Sequence, residues 1–480
     1  MTGGIRRIAL FGKGHALWSV AALLGKSLPA NRQLIVIEEP GSDGPAPLTI
    51  RLDDPLLARL AISADDLQSA DSAILALGTE LRDWRGEGSR FFLAGSGPLP
   101  EIDDIAIHQI MLRAAVTYDQ PDRLAYLYQP FRLPARVAEA GKFALQASDP
   151  RSPLSMLRPV VQIESGDYAA LLKTRFASQR MEIVEGGPKA VVLDPEDGSI
   201  DRVELDNGRV IEADLHIDTS GMLGALAGRI SGSDWHSLSG GLPFDRLLST
   251  RKSGAPSQPS AVAQAVPGGL LITTAVRHAS VSQLACASGV SVDGMQQQWL
   301  GPDAEVTVLA PGYARQPWTG NLVRVGSASA GFGPFLSADM TMLNRQAALL
   351  AELMPTRLDM AVEAGEFNRR HLILAEHIRD FVQLPLLLNG REDAPWSDLR
   401  DSDLPDSLAI RLQQFRSRGR LVAFDGELID EQSWIDLMIG FGIVPERFDP
   451  MARALDMAAM ARRLKNLTNA FDLALASIPE

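Results

Sequence analysis

Residues 8 to 39, IALFGKGHALWSVAALLGKSLPANRQLIVIEE, constrain this chain more than any other stretch. Ile8 to Phe11 form a short apolar run, Gly12-Lys13-Gly14 a tight turn, Ala16 to Leu24 a small-residue helix, and Leu34 to Ile37 a second apolar run ending in Glu38-Glu39. That order is one βαβ unit, which commits the chain to an α/β fold with a parallel sheet. In such a unit the first glycine permits the turn, the second admits a pyrophosphate to the backbone, and a third lets helix and strand pack closely. Gly12 and Gly14 fill the first two roles, and Leu17 stands in the third. A leucine there must push the helix outward or find its own hole. Glu38, 24 positions after Gly14, is placed to accept hydrogen bonds from a ribose. Two readings stay open on these residues alone: a nucleotide site, with Lys13 and His15 flanking the anion, or a structural turn.

A length of 480 residues at 46% hydrophobic content implies a large globular protein of two or three structural units. A net charge of −13 opposes binding to nucleic acid or to anionic lipid surfaces. The only cysteine, Cys286, excludes intrachain disulfides and cysteine-based zinc sites, which fits a reducing cytoplasm. Arg6 and Arg7 precede an apolar stretch, but residues 12 to 15 interrupt it, so no secretion signal or membrane span is expected.

Further along, Pro40 to Pro47 read as a loop. Asp54 caps a helix expected to reach about Leu67, and residues 72 to 95 supply strands of a second sheet. Asp167 to Arg180 read as a helix, followed by strands from Met181 to Ile217 with Asp197-Gly198 and Asn207-Gly208 turns. Alternation from Ser231 to Ala310 predicts more strands of the second sheet, and from Arg345 the pattern turns helical. The last helix carries Met457, Met460, Leu464, Leu467, Phe471 and Leu475 as a packing stripe. The expected organisation is a body over 1–345 with an interleaved second sheet and a helical region over 346–480.

The stretch Ala213-Asp214-Leu215-His216-Ile217-Asp218-Thr219-Ser220-Gly221-Met222 resembles the strand end that approaches FAD in the flavin-dependent tryptophan halogenase family. Similar segments follow in the family's order: Arg82-Asp83-Trp84, Gly312-Tyr313-Ala314-Arg315 leading to Trp318, Asn321 to Gly326, Arg379 to Gln383, Arg391 to Trp396, and Gly442 to Pro450. The resemblance covers essentially the whole chain. It implies a flavin monooxygenase-like FAD-binding body with a helical C-terminal region, and reduced FAD from a separate reductase. The partners it implies are a flavin reductase, with a small aromatic substrate or a partner protein.

In the family, a lysine carries the halogen from the flavin to the aromatic ring, and a glutamate stabilises the cationic intermediate. By alignment the lysine falls on Leu75 or Ala76, and the glutamate on Leu336 or Ser337. Ala338 and Asp339 replace the threonine and glycine beside halide and flavin. The Trp-x-Trp-x-Ile-Pro motif falls on Gly269 to Thr274 without a tryptophan, and only Thr49 and Ile50 remain of the GEATIP loop. The expectation is an FAD-dependent oxidoreductase of the halogenase class that does not perform lysine-directed halogenation. The alternatives are a catalytically inactive member acting as a binding or regulatory protein, and halogenation with a differently placed base.

The resemblance gives FAD-binding residues Gly12, Gly14, Glu38, Asp218 and Gly221. Gly333 and Ser337 stand in a glycine-rich loop that either holds the flavin ring or halide or is only structural. Asp339 reads first as a helix N-terminal aspartate. Glu80 and Arg82 read as solvent-facing on a strand, and His278, His371 and His377 lack metal-ligand spacing, so no metal is expected.

Overall fold

A computed structural model describes residues 4–41, 44–94, 101–178, 180–222, 224–230, 234–254, 260–422 and 426–479. Residues 42–43 of the expected loop, Gly95 and Ser96 to Pro100, and residues 231–233 and 255–259 of the expected strand region lie outside these. The chain forms two compact units: 1–74, 161–255 and 276–379 make the first, and 75–160, 256–275 and 380–480 the second.

The first unit is built on a six-stranded sheet. Strand β1 (Arg7–Gly12) is central, with β2 (Gln33–Glu38) on one side and the Leu215–Asp218 strand on the other. Met181–Glu185 lies beyond β2, and Leu322–Arg324 and Trp318–Thr319 beyond Leu215–Asp218. All pairs are parallel except the last. β1 and its neighbours read as continuous apolar runs because both faces are covered. On one face, Ala9, Phe11, Ile35 and Ile37 pack with Val203, Leu205 and Ile211 of an antiparallel meander formed by Pro188–Leu193, Ile200–Leu205 and Val210–Ile211. On the other, helix α1 (Gly14–Ser27) packs beside the Ser165–Phe176 helix.

The chain leaves β1 toward β2 and returns on the opposite side at Leu215. The C-terminal ends of β1 and Leu215–Asp218 therefore flank a topological switch point, where open α/β sheets bind their ligands. Elsewhere in this unit, Phe244–Ser253 pairs antiparallel with Ala279–Ala287 and with Glu305–Val308. The Trp235–Ser237, Gly312–Ala314 and Ala330–Gly331 strands form a small sheet.

The second unit pairs Gly78–Arg82 with Arg90–Ala94 and with Ala261–Val266, and its remainder is largely helical. Two motifs far apart in sequence meet there. The rings of Trp84 and Trp396 are 5.2 Å apart, their indole N–H groups donate to the Ala263 and Val266 carbonyls, and Arg391 bridges Asp393 to the Asp83 and Ala265 carbonyls. A buried polar cluster ties helices together: Asp436 accepts from Arg132 at 3.0 Å and from the Tyr128 hydroxyl at 2.8 Å. The terminal helix, Met457–Ser477, buries Met460 and Phe471 of its predicted stripe.

Several expectations need correction. The helix from Asp54 stops at Leu60, where Ala61 turns left-handed (φ 55°), and a second short helix, Ala64–Gln68, starts from a Ser63–Asp66 capping box. The helix read over 167–180 spans Ser165–Phe176. Within 231–310, helical turns over Val292–Met295 and Gln296–Leu300 interrupt the strands. Glu80 does not face solvent. It is 8% exposed and clamped between Arg82 and Arg90, which hold its carboxyl below the usual range against the burial that would raise it.

Candidate cofactor site

Three strand ends converge at the switch point of the first unit. Phe11 lies opposite Asp218, and Gly12 opposite Glu38. Thr219, the next residue after the strand, donates both its amide and its hydroxyl to the Phe11 carbonyl at 2.8 Å. A Cβ on Gly12 would sit 2.2 Å from the Thr219 hydroxyl, and its φ is +147°, so glycine is required there by the chain's own packing. Gly14 opens α1 at φ +58°. Leu17 finds its own hole: it is fully buried, and α1 runs unbroken past it.

The two glutamates at the end of β2 have separate fates. Glu38 accepts from the Trp18 indole N–H at 3.0 Å through one carboxylate oxygen and from Lys173 at 2.6 Å through the other. Its neighbour Glu39 donates its amide to the Gly12 carbonyl, while one buried carboxylate oxygen has no hydrogen-bond partner. Burial and the nearby Asp218 push the Glu39 carboxyl up, and Lys13 and Arg229 offset part of the rise. The sequence signal for Glu39 was the doubled acid itself, and only the structure separates the two roles.

Asp218 is fully buried and organises the loop that follows. One oxygen accepts from the Ser220 amide at 2.9 Å and from its hydroxyl, the other from the Leu226 amide at 2.8 Å. A Cβ on Gly224 would lie 2.6 Å from that second oxygen. Gly221 turns at φ +69° with open space where a side chain would project.

The glycine-rich loop lies in the same unit. Ala330–Gly331 pairs with Gly312–Ala314, and the chain then turns through Gly333 (φ +83°), Leu336 (φ +57°) and Ser337 (φ +56°) into the Ala338–Glu352 helix. Gly333 also faces open space, and the Ser337 hydroxyl makes no cap bond. Asp339 instead reaches back to accept from the Phe332 amide at 2.7 Å. Burial pushes its carboxyl up to about 6, against the Phe332 and Gly333 amides and the attraction of His15 on α1, even though part of its surface is open. Behind the loop, the Gln346 side chain accepts from the Gly326 amide and donates to Ser329 and to Nδ1 of His371, which fixes His371 as the Nε2–H tautomer donating to the Ala314 carbonyl. That chain of bonds accounts for His371 without a metal ion.

The site therefore brings together Gly12, Gly14, Asp218 and Gly221, with Glu38 anchoring α1 from beneath and Gly333 and Ser337 in the loop that leads to Asp339. Glu39, Thr219 and Arg229 were not anticipated. Leu75 is half-buried and Ala76 fully buried on the Ile74–Ala76 strand, and Leu336 is half-buried in its turn. Among the described residues, no three His, Cys, Asp or Glu side chains could jointly hold a metal ion, and no helix is long and apolar enough to cross a membrane.

The family model described as Tryptophan halogenase matches residues 7–457. The chain belongs to the tryptophan halogenase family. It is 23% identical over 478 residues to the tryptophan 7-halogenase RebH of Lentzea aerocolonigenes, a match that covers 93% of this chain and 87% of RebH. Among solved structures it is similar to BrvH, a flavin-dependent halogenase from Brevundimonas sp. BAL3, with a TM-score of 0.90 and 27% identity across 99% of this chain and 98% of BrvH. It is likewise similar to Xcc4156, a flavin-dependent halogenase from Xanthomonas campestris, at a TM-score of 0.88 and 25% identity over 99% and 97% of the two chains. The expected fold class follows: a flavin-dependent halogenase fold with several sheets and a helical C-terminal region.

Proposed function

We propose that this protein is an FAD-dependent oxidoreductase of the halogenase class whose reaction is not lysine-directed halogenation. Its cofactor is FAD, reduced by a separate flavin reductase, and its residues fit that group. Gly221 and Gly333 leave open space where side chains would stand, and the unpartnered Glu39 oxygen lies beside the Gly12 turn, where a ribose hydroxyl would satisfy it. Gly12 and Gly14 bring the backbone and the N-terminus of α1 to the pyrophosphate. Gly221, Gly333 and Ser337 would line the remainder of the cofactor. Reduced FAD, when bound, supplies the electrons that activate dioxygen.

The observation that carries the reading is chemical. Leu75 and Ala76 have no amine to capture an electrophilic halogen, and Leu336 and Ser337 have no carboxylate to stabilise a cationic ring. A small aromatic compound is the substrate class that the family supports, and the single buried cysteine, Cys286, favours a reducing compartment. The test is turnover with FAD, a flavin reductase, NADH and bromide over a panel of indoles and phenols, read by mass spectrometry. Oxygenated or dehydrogenated products without bromine support an oxidation other than halogenation, and brominated product at rates typical of an enzyme replaces that reading with halogenation through a differently placed base.

A second reading, a member without catalysis that acts as a binding or regulatory protein, is favoured by the same loss at Leu336 and by Ala338. It predicts FAD binding with no product on any substrate.

A further inference from the structure

The Phe332 amide, at the head of the glycine-rich loop, donates to the protein's own carboxylate at 2.7 Å. That carboxylate, Asp339, lies in the first turn of a 15-residue helix, and both the Gly333 amide and His15 at the start of α1 favour its ionised form. Of the other charged groups on elements packed against that helix, Arg51 pairs with Asp53, Arg59 donates to the Ala348 carbonyl, Asp54 accepts from the Leu56 amide and from Asn344, and Lys26 stands in the last turn of α1. An anionic dinucleotide arriving at Gly12 and Gly14 thus meets a fixed negative charge that is hydrogen-bonded but poorly hydrated.

Resting on the FAD reading above, we propose that Asp339 is a resident anion of the cofactor site. It holds the Phe332 amide in the free protein and takes up a proton from solvent when FAD binds, which links cofactor affinity to pH. Two physical arguments support this. The pyrophosphate raises the cost of a nearby carboxylate, and protonation removes that repulsion. The same step lets the Phe332 amide turn toward the cofactor, because a neutral carboxyl is a weaker acceptor than a carboxylate. A site loaded with reduced FAD from a separate reductase then holds its cofactor more tightly in mildly acidic solution. Glu39 is the other carboxyl with raised proton affinity at this site, facing Lys13, Arg229, Asp206 and Asp218. It stands at the ribose end, where a hydroxyl donor favours its ionised form, so the proton uptake is assigned to Asp339.

The test is FAD titration of the full chain from pH 5 to pH 8 by flavin fluorescence. Calorimetry in two buffers of different ionisation enthalpy counts protons. The wild type should bind about tenfold more tightly at pH 5 than at pH 8, with net proton uptake near pH 7. Asp339→Asn should bind at pH 8 at least as tightly as the wild type does at pH 5, with a flat pH profile and no uptake. Asp339→Ser, which keeps a polar helix start, should behave in the same way. Equal affinity at all pH values with no proton uptake, or weaker binding by both variants, overturns the proposal and leaves the FAD site standing. Proton uptake lost in Glu39→Gln but retained in Asp339→Asn also overturns it. No FAD binding by the wild type at any pH overturns the site reading itself.

Discussion

Replacing each of the two glutamates at the end of β2 should have opposite consequences, and this separates structure from cofactor contact within one dipeptide. Glu38→Ala removes the acceptor of the Trp18 indole N–H, and Trp18 is 1% exposed. Leaving a buried donor unpaired costs about 1–3 kcal/mol. The Lys173 pair adds only a few tenths of a kcal/mol, because the lysine is nearly half exposed. A total near 2 kcal/mol follows, with most of it from the indole. Lys173 also lies 5.3 Å above the Trp18 ring and becomes free to move, so α1 should loosen as a unit.

Glu39→Ala removes a carboxylate whose ionised form the fold already disfavours. Its stability effect should be between zero and about 1 kcal/mol of gain at neutral pH, because the poorly hydrated charge disappears. The loss should appear in binding. One charge-assisted hydrogen bond to a ribose hydroxyl corresponds to a fall in FAD affinity of roughly tenfold or more. Thermal melts give the first quantity and flavin fluorescence titration the second. Equal destabilisation by the two variants, or a larger FAD defect in Glu38→Ala than in Glu39→Ala after correction for unfolding, would refute the division of roles.

Three further outcomes follow from the geometry. Gly12→Ala places a methyl 2.2 Å from the Thr219 hydroxyl at a φ of +147°, so strain and overpacking together should cost about 3–5 kcal/mol and abolish FAD binding, read by melting and titration. Arg132→Met leaves Asp436 buried beside Tyr128 without its cation, which should destabilise by about 3–5 kcal/mol in urea unfolding, whereas Tyr128→Phe should cost about 1 kcal/mol. Acid should unfold the protein early. His108, His216 and His371 are buried with proton affinities lowered to about 4, mainly by desolvation. The unfolded chain therefore binds more protons between the ordinary histidine value and about 4, and stability falls as pH drops through that window, by up to roughly 3 kcal/mol per histidine. Asp339 and Glu39 act in the opposite direction, because the folded state protonates them first. His216→Phe should remove part of the acid sensitivity in pH-dependent melts, since neither of its ring nitrogens has a partner.

The parts of the fold legible in sequence were those whose signal is local. The βαβ unit was readable because apolar runs, a glycine turn and a small-residue helix occur within about thirty residues, and their order admits one chain path. The Asp218 strand end was readable because its residues match a known pattern closely. What the sequence did not reveal depends on contacts between distant segments. Nothing near Glu38 announces that Trp18 and Lys173 use both its oxygens while one carboxylate oxygen of Glu39 stays unpartnered. Glu80 alternates as a solvent-facing residue should, yet Arg82 and Arg90 enclose it. Ala61 carries no breaker signature, and only its left-handed turn ends the helix that the apolar pattern would extend to Leu67. The pairing of Trp84 with Trp396 explains two motifs that sequence could only match, since Arg391 and the two indoles supply the donors for carbonyls along one strand edge.

The residues kept and the residues lost divide along a physical line. Everything the Gly12 turn needs is kept: Thr219 on the Phe11 carbonyl, Asp218 folding its loop, and open space above Gly221 and Gly333. The groups missing are those that would handle an electrophilic halogen, the amine at Leu75 or Ala76 and the carboxylate at Leu336 or Ser337. The Gly12 turn and the Asp218 loop are held by the chain's own packing and hydrogen bonds, so the shape of the cofactor site is kept whether or not catalysis remains. A carboxylate at Asp339, two or three residues beyond the empty glutamate position, makes the pH profile of FAD binding the test of proton-linked control at this site, while product analysis with bromide separates the functional readings.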